Sequence, residues 1–521
     1  IRRTLEGRDL ITEGRHPGAT GRMHRLVVDH LKTHNPPETD LVDEFITHRA
    51  YELGTDFTQA PELWEIDSIT DALPDILTRK PELLKQVPDF IRFIALNYVT
   101  DTRITAMLYD LVEKLSGAST RTAFLAHSLL GDVFQSIDPV QARESYRRSL
   151  AIARHLAKIW PEDLQVRRDL TVALDNVAGM LKHSDPGQAL DLYKESLGIR
   201  WELDERLSGD FRARWDLAVA LDNVAGMLKH SDPGQALKLY RESLGIGREL
   251  AERLSGNFQA RRNLAISLDN VAGMLENSDP GQALDLYKES LDISRDLDGR
   301  LSGDLQARRD LAISLNNVAG MLKHSDPGRA VDLYEESLDI SRDLDGRLSG
   351  DLQARRDLTV ALINVAGMLE TSDPGRAVEL YEESLGIRRE LAERLSGDLQ
   401  ACRDLTVALI NVAGMLKHSD PGRAVELYEE SLGISRELAV RLPGNLQALS
   451  DLGVAAARLA QLLSTEDPER VSLWREAATS FRDALAIQPE HRELGRLSYQ
   501  AALDYADCDP DDRDEWLAYA A

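Results

Sequence analysis

An Asn followed by Val-Ala-Gly-Met-Leu stands at Asn176, Asn223, Asn270, Asn317, Asn364 and Asn411, each 47 residues after the one before. A period that does not drift over six copies leaves few folds open. Each unit has an apolar face that it can bury only against its neighbours, which is the sequence sign of a solenoid. The chain therefore needs a ribbon of local cores rather than one central core.

Each unit reads as two helices. In the first, Leu217, Ala220, Leu221, Val224, Ala225 and Leu228 recur at spacings of three and four and make one apolar stripe. In the second, Ala236, Tyr240, Ser243, Leu244, Leu250 and Leu254 line one face, and Lys238, Arg241, Glu242 and Arg248 are placed to stay wet. Capping chemistry marks the boundaries. Asp185, Asp232, Asp279, Asp326, Asp373 and Asp420 each precede a Pro, so the Asp accepts from orphan N–H groups while the Pro takes the first helical position. Asp138-Pro139 and Asp467-Pro468 keep that register at either end. Gln188, Gln235 and Gln282, three residues after the Asp, predict a capping box, and the other three copies carry Arg there. The second helix is expected to end at Ser-Gly, with Gly209, Gly256, Gly303, Gly350, Gly397 and Gly444 free to take the left-handed conformation. Arg206, Arg253 and Arg300 suit the negative helix end just before it. Asp163, Asp210, Asn257, Asp304, Asp351, Asp398 and Asn445 then cap the next first helix. These recurring Asp residues read as structural, and helices of about 20 residues, about 30 Å long, make the unit a tall antiparallel pair.

The spacing of Ala236, Tyr240 and Ser243, after a helix carrying Leu221, Val224, Ala225 and Leu228, resembles the tetratricopeptide repeat (TPR), whose second helix carries Ala-x3-Phe-x2-Ala. The long repeat of kinesin light chains is the most similar variety: Leu315-Asn316-Asn317-Val318-Ala319 nearly reproduces its Leu-Asn-Asn-Leu-Ala. Ala477, Phe481, Ala484 and Pro489 match the family's Ala, Phe, Ala and closing Pro. The period exceeds the family's usual 34 residues. The inter-helix turn reads one residue shorter, and an insertion of about six residues separates Asp467-Pro468 from Ala477 relative to the other units. The resemblance implies an all-α, right-handed superhelical solenoid of antiparallel helix pairs.

Three segments follow. Residues 1–117 do not repeat and read as a helical N-terminal domain, broken at His34-Asn35-Pro36-Pro37, Gln59-Ala60-Pro61, Lys80-Pro81 and Val87-Pro88. Residues 118–490 hold about eight helix pairs. The first, around Arg121 to Ala157, carries Leu129 in place of the Asn, and the eighth, from about Leu446 to Pro489, carries Arg458 there. Residues 491–521 read as a capping helix, Leu494 to Tyr505, and an acidic tail. Divergent end units suit a solenoid whose outermost faces meet water.

The net charge of −26 argues against nucleic acid as a direct partner. The pairs Arg167-Arg168, Arg261-Arg262, Arg308-Arg309 and Arg355-Arg356 are each followed by Asp or Asn and read as salt-bridged edges. No uninterrupted apolar run predicts a membrane span and no signal pattern is seen. Two cysteines, Cys402 and Cys508, make no disulfide framework and point to a reducing cytoplasm. His16, His24, His30, His34 and His48 cluster early, but His30 and His34 have no intervening Glu and no third ligand. In the tail Asp507, Asp509 and Asp511 alternate as in a calcium loop, yet Pro510, Asp512 and Ala518 break its pattern. No phosphate loop, nucleophile elbow or zinc-protease motif is found, and Cys402 stands where the repeat has Arg. The expectation is a chain with no chemistry and no cofactor of its own.

What remains is surface. Val219, Asn223, Gly226 and His230 lie at spacings of four, three and four on the first helix, a stripe apart from the packing Leu residues. In TPR solenoids the first helices line the concave groove, and the matching Asn of some members hydrogen-bonds the main chain of an extended ligand. The resemblance implies the same for Asn176, Asn223, Asn270, Asn317, Asn364 and Asn411. An amide both donates and accepts, so it satisfies peptide groups whatever their side chains. Gly179, Gly226, Gly273, Gly320, Gly367 and Gly414 would permit close approach. The alternative stays open that the Asn bonds a neighbouring repeat and the Gly serves helix packing. The position before each Asn runs Asp175, Asp222, Asp269, Asn316, Ile363, Ile410, from acidic to apolar, which suits a ligand basic at one end. His183 and His230 end the stripe, with helix capping as their other reading. The expected role is a non-enzymatic scaffold holding a protein or peptide partner. Two rivals are a regulatory arm of a larger signalling or defence complex and an enzyme using the N-terminal domain, which loss of an activity on substitution of His30 or His34 would support; self-association through matching repeat edges is a further alternative.

Overall fold

The computed structural model describes residues 121–135, 138–182, 184–348, 350–395, 398–489 and 491–508, with isolated positions at Ile11–Thr12, Arg22–Met23, Ile69, Ala72 and Ile76. The expected N-terminal domain, its histidines and the acidic tail beyond Cys508 otherwise lie outside the described residues. The exception to helix is one antiparallel pair, β1 (Ile11–Thr12) and β2 (Arg22–Met23), in the register Ile11↔Met23.

The described helices alternate as the period predicts. They are α1 (Arg121–Phe134), α2 (Pro139–Ile159), α3 (Leu164–Leu181), α4 (Pro186–Arg206), α5 (Phe211–Leu228), α6 (Pro233–Arg253), α7 (Phe258–Leu275), α8 (Pro280–Arg300) and α9 (Leu305–Leu322). Then follow α10 (Pro327–Arg347), α11 (Leu352–Leu369), α12 (Pro374–Arg394), α13 (Leu399–Leu416), α14 (Pro421–Arg441), α15 (Leu446–Leu462), α16 (Pro468–Ile487) and α17 (Arg492–Cys508). The chain forms two compact units, Ile1–Ile246 and Gly247–Ala521, with the boundary inside α6. In the first unit α1 packs on α2 and α3 on α4; in the second α7 packs on α8, and so on to α15 on α16, with α17 against α16. The second unit has one continuous apolar core, from Ala272 to Ala506.

Caps set the starts of the helices from α2 on, though not quite as the sequence suggests. Asp185 Oδ1 accepts from the Gln188 amide at 3.0 Å, and Asp326 Oδ1 from the Arg329 amide at 3.1 Å. The capping box is half made. The N–H that the Gln side chain would satisfy is already spent on backbone, Asp185 N to Leu181 O and Asp279 N to Leu275 O, both at 2.8 Å, and Gln188 and Gln282 are exposed. That explains why Arg replaces Gln without loss. At the second helices' ends Gly209, Gly303, Gly350 and Gly444 take positive φ between 73° and 93°; Gly256 makes its turn outside that region. Gly397 lies outside the described residues.

The serine that stands where the TPR family has Ala also has a clear role. Ser196, Ser243, Ser290, Ser337 and Ser431 are buried and donate to a carbonyl 25 residues earlier, at 3.1–3.5 Å. Each hydroxyl ties its second helix to the backbone of the first. The insertion expected after Asp467-Pro468 is absent: α16 runs unbroken from Pro468 to Ile487, and its Ala477 and Phe481 sit farther along the helix than the corresponding residues of other units. α13 reaches a mean hydropathy of 1.2 over 18 residues, the level of a membrane span, but its Leu405, Leu409, Val412 and Leu416 are buried in the core of the second unit.

Candidate functional site

Two ladders of polar bonds set the first helices side by side. In the second unit Arg262 pairs with Asp310 at 2.5 Å, Arg309 with Asp357 at 2.8 Å and Arg403 with Asp451 at 2.6 Å, each one repeat on. In the first unit Arg121 pairs with Asp169 in the same way. The second helices are linked separately through Arg295–Glu336, Arg342–Glu383, Arg389–Glu430 and Arg436–Glu476, at 2.5–2.9 Å. The Arg-Arg pairs of the sequence are thus engaged: Arg167 reaches Glu202, Arg261 reaches Asp296 and Arg355 reaches Glu390, within their own repeats.

With the Leu face packed and the Arg-Arg edge paired, the Asn stripe is the part of each first helix left facing outward. Four residues before each Asn is a β-branched residue, and five of the six are exposed: Val172 at 44 %, Ile266 at 46 %, Ile313 at 47 %, Val360 at 48 % and Val407 at 39 %. Val219 is half-buried. Single exposed aliphatics are ordinary, but in the second unit Ile266, Ile313, Val360 and Val407 recur at one register on successive first helices. Beside them lie the half-buried Asn residues and, four residues on, half-buried Met321, Met368 and Met415.

The Asn residues do not share one environment. Asn176 Nδ2 donates to Ser128 Oγ at 3.1 Å, and Asn317 stands beside the Asp269 carboxylate, each reaching back into the preceding repeat. Asn364 and Asn411 hold no side-chain hydrogen bond among the described residues. Their counterparts one repeat earlier are Asn316, whose Oδ1 is buried and unpaired, and Ile363. The glycines three residues on are not required for packing. A methyl group at Gly179, Gly226, Gly320, Gly367 or Gly414 would meet the hydroxyl of the Tyr beneath at 3.4–3.6 Å, ordinary contact, and at Gly273 at 3.3 Å. At Gly131 and Gly453, in the end units, it would strike the rings of Tyr146 and Phe481 at 2.3 and 2.8 Å. In the six regular repeats the glycine thus stands over a tyrosine hydroxyl rather than over a ring. Tyr287 and Tyr381 spend theirs on Glu276 and Glu370, at 2.6 and 2.8 Å.

The acidic end of the stripe is partly neutralised. Asp175 is mostly buried, and burial pushes its carboxyl above the ordinary range against the pull of Arg200, whose Nη2 lies 2.7 Å from Asp175 Oδ2. Asp269 has no such arginine, because Ser294 stands at the register of Arg200. Burial first, then Asp310, push Asp269 up to about 7, with the neighbouring Ser290 and Asn317 opposing. Asp222 is half-buried in the first unit and Asn316 in the second. His230, with His324 and His418, is exposed beyond the end of its first helix, and His183 lies outside the described residues.

Two features of the site were missed in the sequence. The exposed column Val172, Ile266, Ile313, Val360, Val407 was visible as β-branched residues off the Leu stripe. Arg200 and Arg388 stood out as the two arginines in a column otherwise of Gly247, Ser294, Ser341 and Ser435. Burial pushes the Cys402 thiol up, the wrong direction for a nucleophile.

No family model matches the chain, and no curated protein matches it. Among solved structures it is similar to the Rap protein complexed with competence and sporulation factor, at 15 % identity over 77 % of this chain and 99 % of that one, with a TM-score of 0.43. It is similar to the apo form of the quorum sensor NprR from B. thuringiensis, at 13 % identity over 76 % and 99 % of the two chains, with a TM-score of 0.40. To yeast Tom70 the figures are 13 %, 91 %, 97 % and 0.34. At these scores no residue role passes from them to this chain. On its own repeat and packing the chain is an all-α solenoid of TPR-like helix pairs.

Proposed function

We propose that the chain is a non-enzymatic scaffold that holds an extended protein or peptide segment along the Asn stripe of its first helices. The observation that carries this reading is the exposed apolar column at one register, next to the half-buried amides. An extended peptide presents alternating side chains and a row of N–H and C=O groups. The Val/Ile column and the methionines suit the first, and the Asn amides suit the second. Asn364 and Asn411, which hold no side-chain hydrogen bond among the described residues and have no carboxylate one repeat back, are the readiest. A basic portion of the segment would lie toward Asp269, the buried carboxyl without an arginine.

The test is a random synthetic peptide library offered to the full chain and to an Asn364→Ala, Asn411→Ala, Val360→Ser variant whose helicity is checked by circular dichroism. These side chains hold no internal bond or are exposed, so the variant is expected to fold. Peptides enriched on the parent should bind the variant about tenfold or more weakly, since each lost hydrogen bond is worth about 0.5–1.5 kcal/mol. Parent-like affinity in the folded variant, or a parent that selects no peptide, would overturn the reading.

A further inference from the structure

Arg200 and Arg388 occupy the same position in two repeats, on the second helix beneath the Asn stripe, and both are buried, at 6 % and 8 % exposed. Their surroundings differ at the carboxylate they could meet. Arg200 sends Nη2 to Asp175, the residue before Asn176, at 2.7 Å, and also lies near Asp216. At the register of Asp175 the repeat of Arg388 has Ile363, which accepts nothing. Arg388 Nη1 donates instead to the backbone carbonyl of Asp404 at 2.5 Å, and its Nε, like that of Arg200, is buried with no hydrogen bond among the described residues. The nearby Asp404 carboxylate is taken by the Gln400 side chain, at 2.8 Å. Nη2, which in Arg200 meets the carboxylate, has no hydrogen bond among the described residues. The other members of this column are Gly or Ser, so a guanidinium is not what the packing asks for. A buried guanidinium cannot shed its charge and costs several kcal/mol unless paired.

We infer that Arg388 is a subsite for a carboxylate of the bound segment, which takes the place over Ile363 that Asp175 takes beside Arg200. The subsite rests on the peptide-binding reading of the stripe, because it lies between Asn364 and Asn411. It adds polarity to that reading: the segment runs with a carboxylate at Arg388 and its basic portion toward Asp269. The carboxylate is an Asp or Glu side chain or a chain end, and the two share the fork that a guanidinium recognises.

Two variants isolate the subsite without touching the Asn residues. Arg388→Ser installs the residue native to Ser294, Ser341 and Ser435, and Ile363→Asp supplies the internal partner that Arg200 has. The probe is the same peptide library, synthesised with free and with amidated C-termini. The parent is expected to enrich peptides bearing a carboxylate at a fixed position, and both variants to bind them about tenfold or more weakly, the range for a hydrogen bond to a charged group. Both variants should still bind peptides that lack the carboxylate. If amidation removes the preference the carboxylate is the chain end, and if not it is a side chain; either supports the subsite. A parent that selects peptides with no carboxylate preference, or a preference that survives Arg388→Ser, overturns the subsite and leaves the stripe standing. A parent that selects no peptide overturns both.

Discussion

Asp269 and His127 show how one residue out of step with its column writes itself into the pH dependence of the whole. Asp269 is buried without the arginine that Asp175 has, and its carboxyl is pushed from 3.8 up to about 7. The folded chain therefore holds a proton that the unfolded chain gives up at lower pH, and stability falls as pH rises from 3.8 toward about 7. Asp269→Asn, which copies the native Asn316, removes that term. The melting temperature of the variant relative to the parent should climb through this window and level off above it; a flat difference would show the carboxyl to be ordinary. His127 has the opposite sign. It stands where the other first helices have Leu174, Leu221, Leu268, Leu315, Leu362 and Leu409, fully buried and with neither ring nitrogen hydrogen-bonded among the described residues. Burial and then Arg148 push it from 6.5 down to about 4, with Glu144 opposing. Above 6.5 both states are neutral, and below it the unfolded chain takes up a proton that the folded chain refuses. His127→Leu should be increasingly more stable than the parent as pH falls from 6.5 to about 4, and a constant offset across that range would count against it. The candidate site was legible to the same depth as these residues. The Asn column and its Val219 neighbour could be read, because a repeat makes a column visible. What an Asn meets depends on the residue 48 positions earlier, and only coordinates pair those positions.

At the scale of the helix, boundaries were the most legible part of the fold, because Asp-Pro and Ser-Gly recur at fixed offsets and each has one physical use. What sequence could not tell is which half of a reciprocal motif is made. The Asp279 side chain accepts from Gln282 N at 3.0 Å, while Asp279 N is spent on Leu275 O. Asp279→Ala should therefore cost about 1 kcal/mol, the usual worth of an N-cap. Gln282→Ala should stay within about 0.5 kcal/mol, like other surface changes. Equal losses, measured by denaturant titration, would mean that the full capping box forms in solution. The apparent insertion in the last pair has a similar origin. Moving Ala477 and Phe481 along a helix whose ends stay in register looks, in a sequence, the same as lengthening the loop before it. The large ring of Phe481 is accommodated in the structure by Gly453, where the regular repeats carry Thr or Ala.

For the molecule as a whole, the period also governs how far any interaction reaches. Serine-to-carbonyl bonds within a repeat span 25 residues, second helices join across 41 and first helices across 48. Among the described helices each of these joins a residue to its own repeat or to the next one, which is the condition for stability to be a sum of repeat and nearest-neighbour terms. The division into two units inside α6 has no mark in the sequence, since Pro233 to Arg253 is one unbroken helix within an undisturbed repeat. The nearest-neighbour condition is testable by excision. Removing residues 280–326 takes out α8 and α9 and joins Asp279 to Pro327, so the Asp-Pro cap is regenerated, Asn364 succeeds Asn317 one repeat after Asp269, Glu383 keeps Arg342, and Glu336 meets Arg248 at the spacing Glu289 had. The shortened chain should fold with unchanged helical fraction, and its denaturant m-value should drop by about the share of one repeat, because m follows the surface exposed on unfolding. Removing only residues 280–303 joins Asp279 to Asp304 and sets α7 directly before α9. Two first helices would then follow one another, with the apolar face of α7 robbed of the Ala283, Tyr287 and Leu291 that cover it. That chain should lose cooperative unfolding or associate. If the full excision unfolds the chain as readily as the half excision does, distant repeats depend on one another and the nearest-neighbour description fails.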